Sequence, residues 1–255
     1  MTDRRAFLGL MASLVGVAWC ALWIWDRSPY GRYLGHQQLG ELDAGSLLLP
    51  MSLYLVGWTL MTVAMMLPTT LPLLEIFRRL TEQRQDRSQL LALVIAGYLG
   101  VWLGFGIVAH GADWLLHEIV EHSSWLEANA WLIGAVTLLL AGGFQFSRLK
   151  YRCLEKCRAP LSFVTEYWRG RHERRNAFLL GINHGLFCVG CCWALMLLMF
   201  GVGVGNIAWM LALGAFMAAE KNLPWGRQLS APLGVVLLGW GGLILLHHSV
   251  LPGLL

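Results

Sequence analysis

The sequence predicts an all-α protein: a polytopic transmembrane helical bundle of about seven spans, one integral membrane domain over residues 1–255, N-terminus cytoplasmic and C-terminus periplasmic. Three observations predict it. Hydrophobic residues make up 57% of the chain and charged residues 13%, against roughly half apolar and a quarter charged in soluble domains. Apolar runs able to cross a hydrocarbon core of roughly 30 Å recur along the chain between polar stretches. Finally, 17 of the 19 Lys and Arg fall on alternate polar stretches, and only Arg27 and Arg32 fall on the others. That asymmetry is what the positive-inside rule requires. A net charge of +4 would suggest nucleic acid in a soluble chain; here the basic residues orient the spans, and the expected partner is the lipid bilayer.

The first span covers residues 7–25, behind Arg4 and Arg5. The twin arginines resemble an export signal, but no small-x-small site closes the run and Trp19 before Cys20 does not suit a lipoprotein signal, so the span is read as retained. A polar external loop follows at 26–46. The second span, 47–77, is too long for a straight crossing and carries Pro50, Pro68 and Pro72, which implies tilt, a kink or an interfacial end. Arg78, Arg79, Arg84 and Arg87 return the chain to the cytoplasm before a third span at 90–110. The loop at 111–129 is expected outside, the fourth span at 130–146, and the most basic segment, with nine Lys and Arg, at 147–176. The fifth span is followed by a tight turn at 201–206, so the sixth, 207–221, is expected to pack directly against it. A short loop and a seventh span at 232–247 complete the chain.

The chemistry concentrates in the fifth span, GINHGLFCVGCCWALMLLM at 181–199. Residues three and four apart share a helix face, so His184, Cys188, Cys191 or Cys192, Met196 and Met199 form one stripe of imidazole, thiol and thioether donors. Soft donors of this kind select Cu(I), with zinc the alternative ion when fewer thioethers take part. Cys and Met are also ordinary packing residues at helix interfaces, and it is their density here that points to a metal. In the second span Met61 and Met65 lie one turn apart, with Met66 beside them, and Pro68 cannot donate to the Ala64 carbonyl. Interrupted membrane helices often line binding cavities.

Weaker constellations accompany these. Cys153 and Cys157 lie one turn apart among basic residues that would favour thiolate. Glu220 and Lys221 stand near the cytoplasmic end of the sixth span, where the carboxylate could pair with its neighbour. External His117, Glu118, Glu121 and His122 could hold a divalent ion or simply form a solvated helix face, and His247 and His248 are weaker still. No phosphate loop, dinucleotide fingerprint or internal repeat is present.

Three stretches together, TLMTVAMMLP, LKYRCLEKCRAP and HGLFCVGCCWALM, with the W-x-L and EKxxPWG elements that follow, resemble the bacterial inner-membrane family of predicted metal-binding integral membrane proteins, some of whose members carry copper-chaperone labels. The resemblance runs from about Met51 to Gly226 and implies metal binding. It maps the family's characteristic positions onto Met65, Met66, Pro68, Cys153, Cys157, Cys188, Gly190, Cys191, Cys192, Trp193, Glu220 and Lys221.

The expectation is thus an inner-membrane protein that binds copper as Cu(I) through Met61, Met65, Met66, His184, Cys188, Cys191, Cys192 and Met196, with Cys153 and Cys157 as further candidate ligands. Its role would be copper handling, either delivery to a cuproenzyme or periplasmic metal carrier, or efflux. Two alternatives remain: a membrane thiol oxidoreductase using the Cys188-x-x-Cys191 pair, and a small-solute permease in which the sulfur is packing. The two stripes form one site only if the second and fifth spans oppose each other inside the bundle at matching depth.

Overall fold

The computed structural model describes residues 2–28, 48–168, 172–202 and 206–250, and among these the regular structure is entirely helical. The elements are α1 (Thr2–Asp26), α2 (Leu48–Leu80), α3 (Arg87–Glu121), α4 (Ser124–Ala128), α5 (Trp131–Phe144), α6 (Arg148–Arg158), α7 (Pro160–Tyr167), α8 (Glu173–Val202), α9 (Ile207–Asn222), a 3₁₀ turn (Gly226–Leu229) and α10 (Ser230–Val250). The turn expected at 201–206, most of the loop at 26–46, and Arg32, Arg169 and Arg171 lie largely or wholly outside the described residues.

Among the described residues five helices, α1, α2, α3, α8 and α10, are long and apolar enough to cross a membrane. The fourth and sixth expected spans are shorter. Helix α5 has 14 residues and is followed, after a 62° bend, by amphipathic α6; α9 has 16 residues. At 1.5 Å per residue these reach about 21 and 24 Å. Length and composition therefore support five crossings, or six if the bent pair counts as one, where the sequence suggested seven.

Two stretches expected as loops are helical. Helix α3 runs on to Glu121, because the apolar residues of GADWLLHEIVE keep a helical spacing, so Asp113, His117, Glu118 and Glu121 lie on the extension of α3. The basic segment folds as α6, α7 and the first turn of α8, with Ser147 capping α6 (Lys150 N to Ser147 Oγ, 3.1 Å) and Pro160 opening α7. Pro lacks the N–H that a first helical turn leaves unpaired in any case.

Helices α2 and α8 form the centre and are the most buried of the long helices. Helix α3 packs tightly on α8: a Cβ on Gly97 would lie 2.3 Å from the Phe178 carbonyl oxygen, and one on Gly181 2.0 Å from that of Val94. Only hydrogen in place of a side chain permits backbones this close. Helix α3 is also tied to α2 by hydrogen bonds from Trp58 Nε1 to the Trp102 carbonyl (2.8 Å) and from Tyr54 Oη to that of Gly106 (3.2 Å). Helix α10 packs on α5, with Trp131 stacked on His248 at 4.4 Å between ring centroids. Helix α9 packs mainly on α2 and less on α8, unlike the expected close pairing with the fifth span.

Candidate metal centre

Around Pro68, helix α2 continues unbroken, and the hydroxyls of Thr69 and Thr70 donate back to the carbonyls of Met66 (2.7 Å) and Leu67 (2.8 Å). Met61, Met65 and Met66 are all buried there. They do not share one direction. Met65 lies against α9, where a Cβ on Gly214 would come within 3.4 Å of its Cγ. Met66 instead reaches α8, and its Sδ is 4.0 Å from Cys192 Sγ. The second and fifth expected spans thus bring sulfur together through Met66.

On α8, Cys188, Cys191, Cys192, Met196 and Met199 are fully buried. Cys191 and Cys192 donate to the Cys188 carbonyl at 3.1 and 2.9 Å, a local bond that turns both thiols back along the helix. Cys192 also reaches Met66, while Cys191 hydrogen-bonds with Cys157 of α6 and stays in side-chain contact with Cys188 and Cys192. Cys188 Sγ lies 3.1 Å from Tyr98 Oη and 2.9 Å from Lys221 Nζ. Lys221 also reaches Thr69 Oγ1 at 3.4 Å and Cys192 Sγ at 4.0 Å. Cys188, Cys192, Met66, Tyr98 and Lys221 therefore form one buried cluster.

His184 stands one turn from Cys188 but faces elsewhere, packed by the rings of Tyr98 (5.7 Å between centroids) and Phe163 (5.4 Å). It borders a small cavity shared with Leu67, Thr70 and Tyr98, and its Nδ1 is buried with no hydrogen-bond partner among the described residues. Among the described residues no group of three or more His, Cys, Asp or Glu side chains is arranged to hold a metal ion. The centre instead gathers the thiols of Cys188, Cys191 and Cys192 and the Met66 thioether near the Lys221 side chain.

Cys153 and Cys157 are buried against α8 rather than displayed among basic side chains. Gly190 admits Cys153, whose Sγ would lie 2.6 Å from a Cβ at that position. The basic residues expected to act on these thiols are engaged elsewhere: Lys156 with Glu166 at 2.6 Å, Arg158 with the carbonyls of Glu220 and Pro224, and Lys150 with Glu220 at 2.8 Å. That last pair is fully buried, and Ser230 Oγ donates to the same carboxylate. Glu220 thus pairs across the bundle with Lys150, not with its neighbour Lys221.

On the α3 extension His117 Nδ1 donates to the Asp113 carbonyl (2.9 Å) and His122 Nδ1 to that of Glu118 (2.8 Å), so these imidazoles bond within their own helix. His247 and His248 are exposed.

Sequence reasoning did not foresee the roles of Lys221, Tyr98 or Lys150. Glu220 and Lys221 were visible as an apolar-flanked charged pair, but adjacent residues on a helix point about 100° apart and so cannot pair side by side.

Fold and centre define a class: a bundle of long apolar helices whose core carries thiols and thioethers between its two most buried members. Within that class the chain belongs to the PpoB2 family, described as copper chaperone, whose profile matches residues 55–244. That match contains every residue of the cluster. Comparison with curated proteins and with solved structures found no match.

Proposed function

We propose that this protein is a copper chaperone of the bacterial inner membrane that holds Cu(I) between α2 and α8 and passes it to a cuproenzyme or periplasmic carrier. The observation that carries the reading is the meeting of Met66 and Cys192 at 4.0 Å with Cys188 alongside. Two metal–sulfur bonds of about 2.3 Å opening at about 120° would set their sulfurs about 4.0 Å apart, so the Met66–Cys192 spacing suits two ligands of one ion, with Cys188 a neighbouring donor. Met61, Met65 and Met196 then support the centre as packing, while His184 lies one turn away. Cys153, Cys157 and Cys191 form a second sulfur layer toward α6.

A membrane location is supported by the exposed apolar residues on the outer helices, among them Val17 and Ile24 of α1, Val108 of α3 and Val235 and Leu243 of α10. Soluble proteins rarely expose so much contiguous apolar surface. With α5 and α9 as short crossings, the seven-span arrangement keeps Arg78, Arg79, Lys150 and Lys221 on the cytoplasmic side and leaves the C-terminus outside. The thiol-exchange alternative needs sulfur open to a partner, and both Cys188 and Cys191 are fully buried.

Anaerobic Cu(I) titration of detergent-purified protein against a chromogenic Cu(I) chelator tests the reading. The wild type is expected to take up stoichiometric copper. Met66→Leu and Cys192→Ser should each weaken binding at least about tenfold, the scale on which even outer-shell losses weaken metal sites. Met65→Leu, aimed at α9, should leave affinity unchanged. Absence of copper in the wild type, or equal affinity in Met66→Leu, would overturn the proposal.

A further inference from the structure

We infer that Cys157 and Cys191 form a second soft-metal site between α6 and α8, an outer station through which copper is exchanged with the deeper centre. The inference rests on the copper reading above and gives the α6 thiols a place in the path of the same ion.

Five of the chain's six cysteines gather in one region, and the sixth, Cys20, is exposed on α1. Helix α6 brings two of the five. Cys153 and Cys157 stand one turn apart on its buried face, while Leu149, Arg152 and Glu155 face outward. Cys157 hydrogen-bonds with Cys191, and Cys191 in turn touches Cys188 and Cys192. Cys153 lies against the α8 backbone beside that contact, its Sγ 2.6 Å from where a Cβ on Gly190 would stand. Sulfur thus runs without a break from α6 through Cys191 to Cys192, whose Sγ is 4.0 Å from the Met66 thioether. An isolated buried cysteine fills space as a small hydrophobe; here the neighbour of each thiol is another thiol.

Burial is graded along this line. Cys188, Cys191 and Cys192 have no exposed surface, whereas Cys153 is 7% and Cys157 9% exposed. The α6 end is therefore the one an ion meets first on entering and last on leaving. Helix α6 has only 11 residues and is held by Lys150 to Glu220, by Arg158 to the carbonyls of Glu220 and Pro224, and by an exposed pair of Glu155 with Arg227 at 3.0 Å. A short surface helix of this kind opens locally at less cost than the long central helices.

Cu(I) is satisfied by two sulfurs in line, so a pair of thiols suffices where zinc takes four ligands. Two bonds of about 2.3 Å in line span about 4.6 Å, so thiols already in hydrogen-bond contact need part only slightly to admit the ion. Ligation releases the thiol protons, as at any thiolate site. Cys191 is common to this pair and to the deeper group, and a thiolate can bridge two Cu(I) ions, so both positions can fill at once. An ion moves inward by gaining Cys188 or Cys192 as it lets go of Cys157. One sulfur bond forms as another breaks, copper stays monovalent, and no unligated charge crosses the apolar core, where it would be expensive.

Anaerobic titration of the detergent-purified protein with Cu(I) against a chromogenic chelator counts the ions, and stopped-flow mixing with excess chelator follows their removal. Wild type should bind about two ions per chain and Cys157→Ser about one, because the serine hydroxyl keeps the hydrogen bond to Cys191 but is a poor ligand for a soft ion. The ion that remains should keep the tighter of the two wild-type affinities, and its removal should slow by at least about tenfold. Cys157→Met, which returns a soft donor, should restore the second ion. A single ion in wild type, two ions in Cys157→Ser, loss of both ions in that variant, or an unchanged removal rate would each overturn the inference and leave the copper reading standing. A wild type that takes up no copper would overturn both.

Discussion

Replacing Gly181 by alanine should drive α3 away from α8. A Cβ at this position would lie 2.0 Å from the Val94 carbonyl oxygen, 2.9 Å from the Val94 carbonyl carbon and 3.0 Å from the Tyr98 nitrogen. All three are backbone atoms and cannot rotate aside. Since real Cβ contacts are essentially never under 3.0 Å, the helices must part locally by at least about 1 Å. Overpacking of this kind costs about 1–3 kcal/mol, which outweighs the 0.5–1 kcal/mol or so that alanine gains over glycine inside a helix. The displacement should also reach the sulfur cluster, because Tyr98, on the segment of α3 that moves, places its hydroxyl 3.1 Å from Cys188 Sγ. Thermal unfolding of the detergent-purified variant, followed by circular dichroism, should show a midpoint several degrees below wild type, and Cu(I) affinity should fall with it. Gly100→Ala and Gly104→Ala are the controls: they lie on the facing helix α3 with nothing within 4 Å of the added carbon. They should be neutral or slightly stabilising. A Gly181→Ala protein as stable as wild type would refute the close-packing argument.

Two further outcomes are expected. Lys150→Met or Glu220→Gln alone strands or unbalances a fully buried charge and should cost about 3–5 kcal/mol, while the double variant should recover much of the loss; a double-mutant cycle by thermal or denaturant unfolding checks this, and additive losses would refute the pairing. Reporter fusions after Arg79 and after Lys150 should give a cytoplasmic signal and one at Ser123 a periplasmic signal, and a periplasmic reading at Lys150 would overturn the proposed orientation.

The helical class was legible because long apolar runs leave few alternatives, and the sulfur-rich stretch at 181–199 was visible because such residues rarely crowd one membrane helix. What could not be read was rotation about each helix axis and reach between helices. Met65 and Met66 are neighbours in sequence, yet one meets Gly214 and the other Cys192, a choice made by packing against α9 and α8 at once. The same holds for Glu220 and Lys221, whose partners lie 70 and 33 residues away. The charges of the 111–129 stretch suggest a loop, but its apolar residues keep a helical spacing. A change from apolar to charged side chains does not by itself end a helix, and α3 continues to Glu121.

The depth at which the sulfurs are held governs timing as well as affinity. Cys188, Cys192 and Met66 have no exposed surface at all. If the centre delivers copper as proposed, an acceptor would have no atom of it to touch until the surrounding helices part locally, so hand-over would wait on that opening rather than on an encounter. Once acceptor is plentiful, adding more should no longer hasten transfer. Under that proposal the centre would retain its ion against ordinary competitors and yield it to a partner able to pry the helices apart, so recognition of the recipient would reside in the opening step rather than in the strength of the metal–sulfur bonds.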